Sequence, residues 1–147
     1  MIPVRDNIGE RGASPAALVI CALVLLAGIF LPDGNIWVAL MAGFGAWIFA
    51  PTPVRELGAI PVLLIATAGG LIAWWVAQDA NSAVGIWAPL ASTGAIALVH
   101  LLKHPRAQVI GLVPIPYRTS LTEAPSVVVI IIWAAAAVIL ALVVQTR

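Results

Sequence analysis

The charged residues of this chain are gathered into short clusters. Between the clusters lie five stretches, residues 16–31, 36–50, 59–77, 87–102 and 125–144, that contain no Asp, Glu, Lys or Arg. A soluble domain covers itself with charge, at about a quarter of its residues. This chain has seven Lys and Arg and six Asp and Glu among 147 residues, and 63% of it is hydrophobic. Uncharged surface on that scale has to face hydrocarbon or another protein. In hydrocarbon, backbone N–H and C=O groups must be satisfied within the chain, which leaves α-helices or closed barrels. The stretches are continuous apolar runs without the period-two alternation of barrel strands. The expectation is an all-α, polytopic bundle of about five transmembrane helices, forming a single membrane domain over residues 1–147.

Each run carries boundary signals. Ser14-Pro15 opens the first, Ser as a cap and Pro in the first turn. Pro32-Asp33-Gly34-Asn35 closes it with a turn. Asp6 and Glu10 dilute the basic character expected of a signal peptide, so this run reads as an uncleaved first span. The second run reaches only about 22 Å as a helix against a hydrocarbon core of about 30 Å. It spans by recruiting its flanks or it is re-entrant, and Pro51-Thr52-Pro53 stops it. The third has Pro61 in its first turn and Trp74-Trp75 at its far end, where indoles favour the interface. Gln78-Asp79-Ala80-Asn81-Ser82 reads as the following loop. The fourth has Pro89 in its first turn and closes at Lys103-His104-Pro105-Arg106. Residues 109–115 are apolar, too short to span and interrupted by Pro114, so they read as an interfacial loop. The fifth run is long enough to cross alone.

Alternating sides from a cytoplasmic N-terminus puts Arg5, Arg11, Arg55, Lys103, Arg106 and Arg118 inside and leaves only Arg147 outside. Positively charged flanks stay cytoplasmic. A cell-membrane protein with its N-terminus in the cytoplasm and its C-terminus external follows, and it needs the second run to cross, since otherwise Arg55 would lie outside.

His100 is the ionisable side chain of note within a run. Intramembrane Asp, Glu, Lys and Arg mark ion paths and proton relays, so their absence argues against a pump. His100 reads as an interior polar group bonding a neighbouring helix. Cys21 reads as a small apolar filler. Small residues recur at a spacing of four: Ala42, Ala46 and Ala50; Ala66 and Gly70; Ala91 and Ala95; Ala137 and Ala141. That spacing lets helix backbones pack closely in lipid, within the bundle or against a partner helix. A net charge of +1 gives no electrostatic case for nucleic acid. There is no Gly-rich phosphate loop, His-Glu-x-x-His or Cys pair, and no metal or cofactor is expected. The expected partners are the lipid bilayer and a transmembrane protein.

Two stretches carry a family resemblance. Pro3-Val4-Arg5-Asp6-Asn7 precedes the first span; Ser92-Thr93-Gly94-Ala95-Ile96 is followed by His104-Pro105-Arg106-Ala107-Gln108-Val109-Ile110-Gly111-Leu112-Val113-Pro114-Ile115. The sequence resembles the rhomboid family of intramembrane serine proteases, with its N-terminal Pro-Leu-Arg-Asp element, its Gly-x-Ser-Gly-Ala-Ile helix and its Pro-Arg-Ala-x-Val…Leu-Val-Pro-Ile connection. Residues 35–70 are similar, to a lesser degree, to the family's second and third helices. The resemblance implies a rhomboid-like bundle and places Thr93 at the nucleophile, with Ser92 one residue early. It implies an oxyanion-like role for Asn35, although Leu31 stands where the family has its paired histidine. The family's base is a histidine on a sixth core helix, and the fifth run is the last here. His100 lies seven residues after Thr93, about 10.5 Å along a helix and beyond hydrogen-bond reach.

The expected function is a non-catalytic rhomboid-like protein that binds transmembrane segments. The hydroxyls of Ser92 and Thr93 then bond backbone carbonyls one turn back. Two alternatives stand beside it. One is an intramembrane serine protease using Thr93 or Ser92 with a histidine from another subunit, and the other is a truncated gene product.

Overall fold

A computed structural model of the chain describes residues 2–6, 15–79, 84–115 and 118–146, with the backbone alone described at 2–6, 84, 108–115 and 118–124. The expected Ser14 cap and the loop residues Ala80, Asn81 and Ser82 lie outside the described residues. In chain order the elements are β1 (Ile2–Asp6), α1 (Pro15–Phe30), α2 (Ile36–Phe49), α3 (Pro51–Leu57), α4 (Ala59–Asp79), α5 (Val84–Lys103), β2 (Gln108–Ile115), β3 (Arg118–Pro125) and α6 (Ser126–Gln145).

The five uncharged runs are all helical, and α4, α5 and α6 are long and apolar enough to cross a membrane. The second run does not stop at Pro51. It bends by 50° at Ala50 and continues as α3, and the bent pair together passes the same test of length and apolarity. Proline lacks only an N–H that the first turn leaves unbonded anyway, so Pro51 and Pro53 start a new helix where they end the old one. The 16-residue α1 falls short of that length. Two boundaries differ from the sequence reading. α4 runs on to Asp79, and α5 starts at Val84, which places Pro89 inside the helix instead of in its first turn.

The helices are apolar on all sides, and their outward faces carry large side chains: Leu64, Ile72, Ile131 and Ile139 are each more than 60% exposed. Such helices are buried in a larger protein or in lipid. The inward faces are lined with small residues. Ala42, Ala46 and Ala50 are fully buried, as are Ala66, Ala137 and Ala141 to within a few per cent. Close approach is literal at Gly28, where an added Cβ would sit 2.7 Å from the Ala39 Cα of α2. Gly69 plays the same part between α4 and α5, 2.9 Å from the Ala91 carbonyl oxygen.

The helix ends alternate. At one end the Gly85 N–H donates to the Pro32 carbonyl at 2.8 Å, and Trp87 Nε1–H donates to Gln145 Oε1 at 3.2 Å. At the other end His104 lies 2.6 Å from Glu56, and the Ser126 N–H donates to the Ala107 carbonyl at 2.8 Å. The bent α2–α3 pair therefore leads from one end of the bundle to the other.

Residues 109–115, expected as a loop, form β2. They sit in an antiparallel three-stranded sheet of order β1-β2-β3, with Ile2 opposite Leu112 and Ile115 opposite Arg118. The helical bundle is as the sequence implies; the sheet lies outside that expectation. Val109, Ile110, Val113 and Ile115 favour a strand, and the β1 partner that completes the sheet lies some hundred residues away in sequence.

Candidate functional site

Ser92 and Thr93 lie in the middle of α5, and consecutive helical positions turn by about 100°, so the two hydroxyls meet different neighbours. Thr93 is fully buried, and its hydroxyl donates to the Ala42 carbonyl of α2 at 2.9 Å. Trp133 of α6 donates its indole N–H to the adjacent Met41 carbonyl at 3.0 Å. Gly45 makes room for both: a Cβ there would stand 2.7 Å from Thr93 Cγ2 and 2.7 Å from Trp133 Nε1. The bond from Thr93 runs to another helix, not to a carbonyl one turn back, because the bare Gly45 backbone lets α5 come within reach of α2. Ser92 faces α4, where a Cβ on Gly70 would lie 2.6 Å from its Oγ.

Asn35 is the N-cap of α2, and its Oδ1 accepts the Trp37 N–H at 2.9 Å. This satisfies one of the N–H groups that every helix start leaves free. Gly85 packs beside the same turn, and Thr93 lies eight residues deeper, about 12 Å along α5. The structure does not bring Asn35 and Thr93 together.

His100 is fully buried, with its ring against Phe49 at 5.8 Å between centroids. Its Nε2 lies 3.4 Å from the Ser126 hydroxyl of α6, which is also fully buried. His104 Nε2 lies 2.6 Å from Glu56 Oε1, with the His104 and His100 rings 6.1 Å apart. Nearby, Arg55 donates to the Thr52 hydroxyl at 3.5 Å. A polar cluster thus joins α3, α5 and α6 at one end of the bundle. Ser126 and Glu56 escape a sequence reading: Ser126 is a polar residue at a helix start, and nothing in its spacing ties it to His100.

No family model, curated protein or solved structure matches the chain.

Ser126 and His100 place a hydroxyl beside an imidazole, two turns along α5 from Thr93. At 3.4 Å the contact is long for a hydrogen bond of this kind. No group of three His, Cys, Asp or Glu residues among the described positions could hold a metal ion. An apolar cleft of about 210 Å³ opens between α2 and α6, lined by Phe44, Ile48, Phe49, Val129, Ile132 and Trp133 among others.

Proposed function

We propose that this chain is a non-catalytic, rhomboid-like integral membrane protein that binds transmembrane segments of partner proteins. The observation that carries the reading is the use made of Thr93. At the family's nucleophile position stands a fully buried hydroxyl already donating to the Ala42 carbonyl, with His100 engaged elsewhere at Ser126. A serine-type nucleophile needs a base within hydrogen-bond reach of its oxygen. The arrangement supports a structural role for the hydroxyl, as a fastener between α5 and α2. The cleft between α2 and α6 is the surface on which a partner helix would lay its side chains.

In this proposal the chain crosses the cell membrane five times, with α1 and the bent α2–α3 pair completing the set. Arg55, Lys103 and Arg106 cluster at the sheet end with β1, which supports a cytoplasmic N-terminus and an external C-terminus.

Photoreactive side chains at Phe44 and Ile132, on either side of the cleft, test the binding role in native membranes. Leu64 on the outer face of α4 serves as the control. Discrete protein adducts at the cleft positions and none at Leu64 are expected. A protein that captures no partner at either cleft position would end the proposal.

An enzymatic reading has one observation in its favour, the contact between His100 and Ser126. A serine-directed fluorophosphonate decides it. Labelling of the purified protein that is lost in Ser126→Ala, Thr93→Val or Ser92→Ala would identify a nucleophile and displace the non-catalytic reading.

A further inference from the structure

α1 and α4 both pack on α5 but hardly on each other. Between them runs a groove whose floor is α5. Two adjoining cavities of about 210 and 200 Å³ share Ala27, Thr67, Pro89 and Ser92 and so form one channel. It extends from Leu31 and Trp74 at the Pro32–Gly34 end of the bundle inward to Ile20 and Leu63. Eleven residues separate Ile20 from Leu31, which is about 16 Å of helix.

We propose that this groove holds one acyl chain of a bilayer lipid from the leaflet on the Pro32–Gly34 side, retained as a bound ligand. Two observations select that occupant. The groove's length matches half of a hydrocarbon core of about 30 Å, the depth of one leaflet. Its mouth carries Trp74, and indoles sit at headgroup level. The floor is shaped for a thin occupant. Gly70 bears no side chain beside Ser92, and Pro89, Ala88 and Ala27 keep the channel open. The Ser92 hydroxyl lines both cavities. This inference is independent of the partner-binding role assigned to the α2–α6 cleft, which lies on other helices.

The test uses the full chain in vesicles of phosphatidylcholine and phosphatidylglycerol doped with a phosphatidylcholine carrying a diazirine in one acyl chain. After irradiation, adducts are located by peptide mass spectrometry. Adducts at the groove residues Ala27, Thr67 and Leu71 are expected to exceed those at the outward residues Leu64 and Ile72 of the same helix α4 by at least fivefold. Ala27→Trp fills the channel and should bring the groove adducts down to the level of the outward residues. Native mass spectrometry of the unmodified detergent-extracted protein should also show one retained phospholipid, a readout that does not depend on the variant folding. Even labelling of groove and outward residues overturns the proposal. So does extraction free of lipid, or a groove found cross-linked to a protein helix.

Discussion

Replacing Gly45 with alanine tests the junction of α2, α5 and α6 directly. The new Cβ would stand 2.7 Å from Thr93 Cγ2 and from two atoms of the Trp133 indole. Carbon atoms pack at about 3.5–4.0 Å, so both side chains, or the α2 backbone between them, must retreat by about 1 Å. A shift of that size carries Trp133 Nε1, now 3.0 Å from the Met41 carbonyl, out of hydrogen-bond range. Overpacking costs about 1–3 kcal/mol. Each lost interhelical hydrogen bond in a membrane protein adds about 0.6 kcal/mol. Alanine's helix propensity returns about 1 kcal/mol. The net expectation for Gly45→Ala is a loss of about 1–3 kcal/mol. Gly94, one residue after Thr93, has nothing within 4 Å of an added Cβ, so Gly94→Ala keeps only the propensity gain and is neutral or stabilising by up to about 1 kcal/mol. Both are measured by titrating the purified protein from mild detergent into SDS and following helix content by far-UV circular dichroism. A Gly45→Ala protein that unfolds as late as the wild type, or a Gly94→Ala protein that unfolds earlier than Gly45→Ala, would refute this account of the junction.

The same titration serves the other expectations. Thr93→Val keeps the shape and removes the bond to Ala42, so it should cost about 0.6–1.7 kcal/mol, while Ser92→Ala should unfold with the wild type. Gly28→Val drives a branched side chain into the Ala39 backbone; it should destabilise by more than Gly45→Ala, and equal midpoints would argue against a close α1–α2 contact. The contact between Glu56 and His104 is partly exposed on both sides, so Glu56→Gln should cost at most about 1 kcal/mol. That cost should shrink as salt is raised from low to molar concentration; a cost unchanged by salt would mean the contact is not electrostatic.

What the sequence made legible was whatever depends on local chemistry. The helices follow from runs that exclude charge, and their ends fall close to the capping and turn residues, as with Asn35 ahead of α2. The start of α5 was less visible, because Val84-Gly85-Ile86 carries a glycine between two apolar residues and so resembles a turn. The continuation past Pro51 was hidden by reading proline as a terminator, when the first turn of a helix accepts it. The sheet was hidden for a different reason. Its central strand contains Gly111 and Pro114, which read as breakers, and β1 pairs with it from the far end of the chain. Side-chain partners were least legible of all. Thr93 bonds a carbonyl 51 positions away, and Trp133 one 92 positions away. No spacing rule reaches across a bundle, so the hydroxyls could be placed on a helix but not assigned their acceptors.

Those acceptors bear on function through α6. Lipid tails are as apolar as leucine side chains, so no hydrophobic force presses this helix against the others. Its seat depends on packing and on polar contacts, and three of these are spread along it: Ser126 with His100, Trp133 with the Met41 carbonyl, and Gln145 with Trp87. They are seven and then twelve residues apart, about 10 and 18 Å along the helix. Phe49 connects the first two, tilted against His100 and edge-on to Trp133. Between these fastenings the apolar cleft against α2 stays open. The Thr93 hydroxyl and the His100 imidazole are both buried and both meet a partner on another helix, which supports the proposed non-catalytic reading. Of the three contacts along α6, the Trp133–Met41 bond joins it to α2, and the other two join it to α5. In the proposed binding role, the apolar cleft between α2 and α6, fastened by the Trp133–Met41 bond, is the surface that receives another helix's side chains.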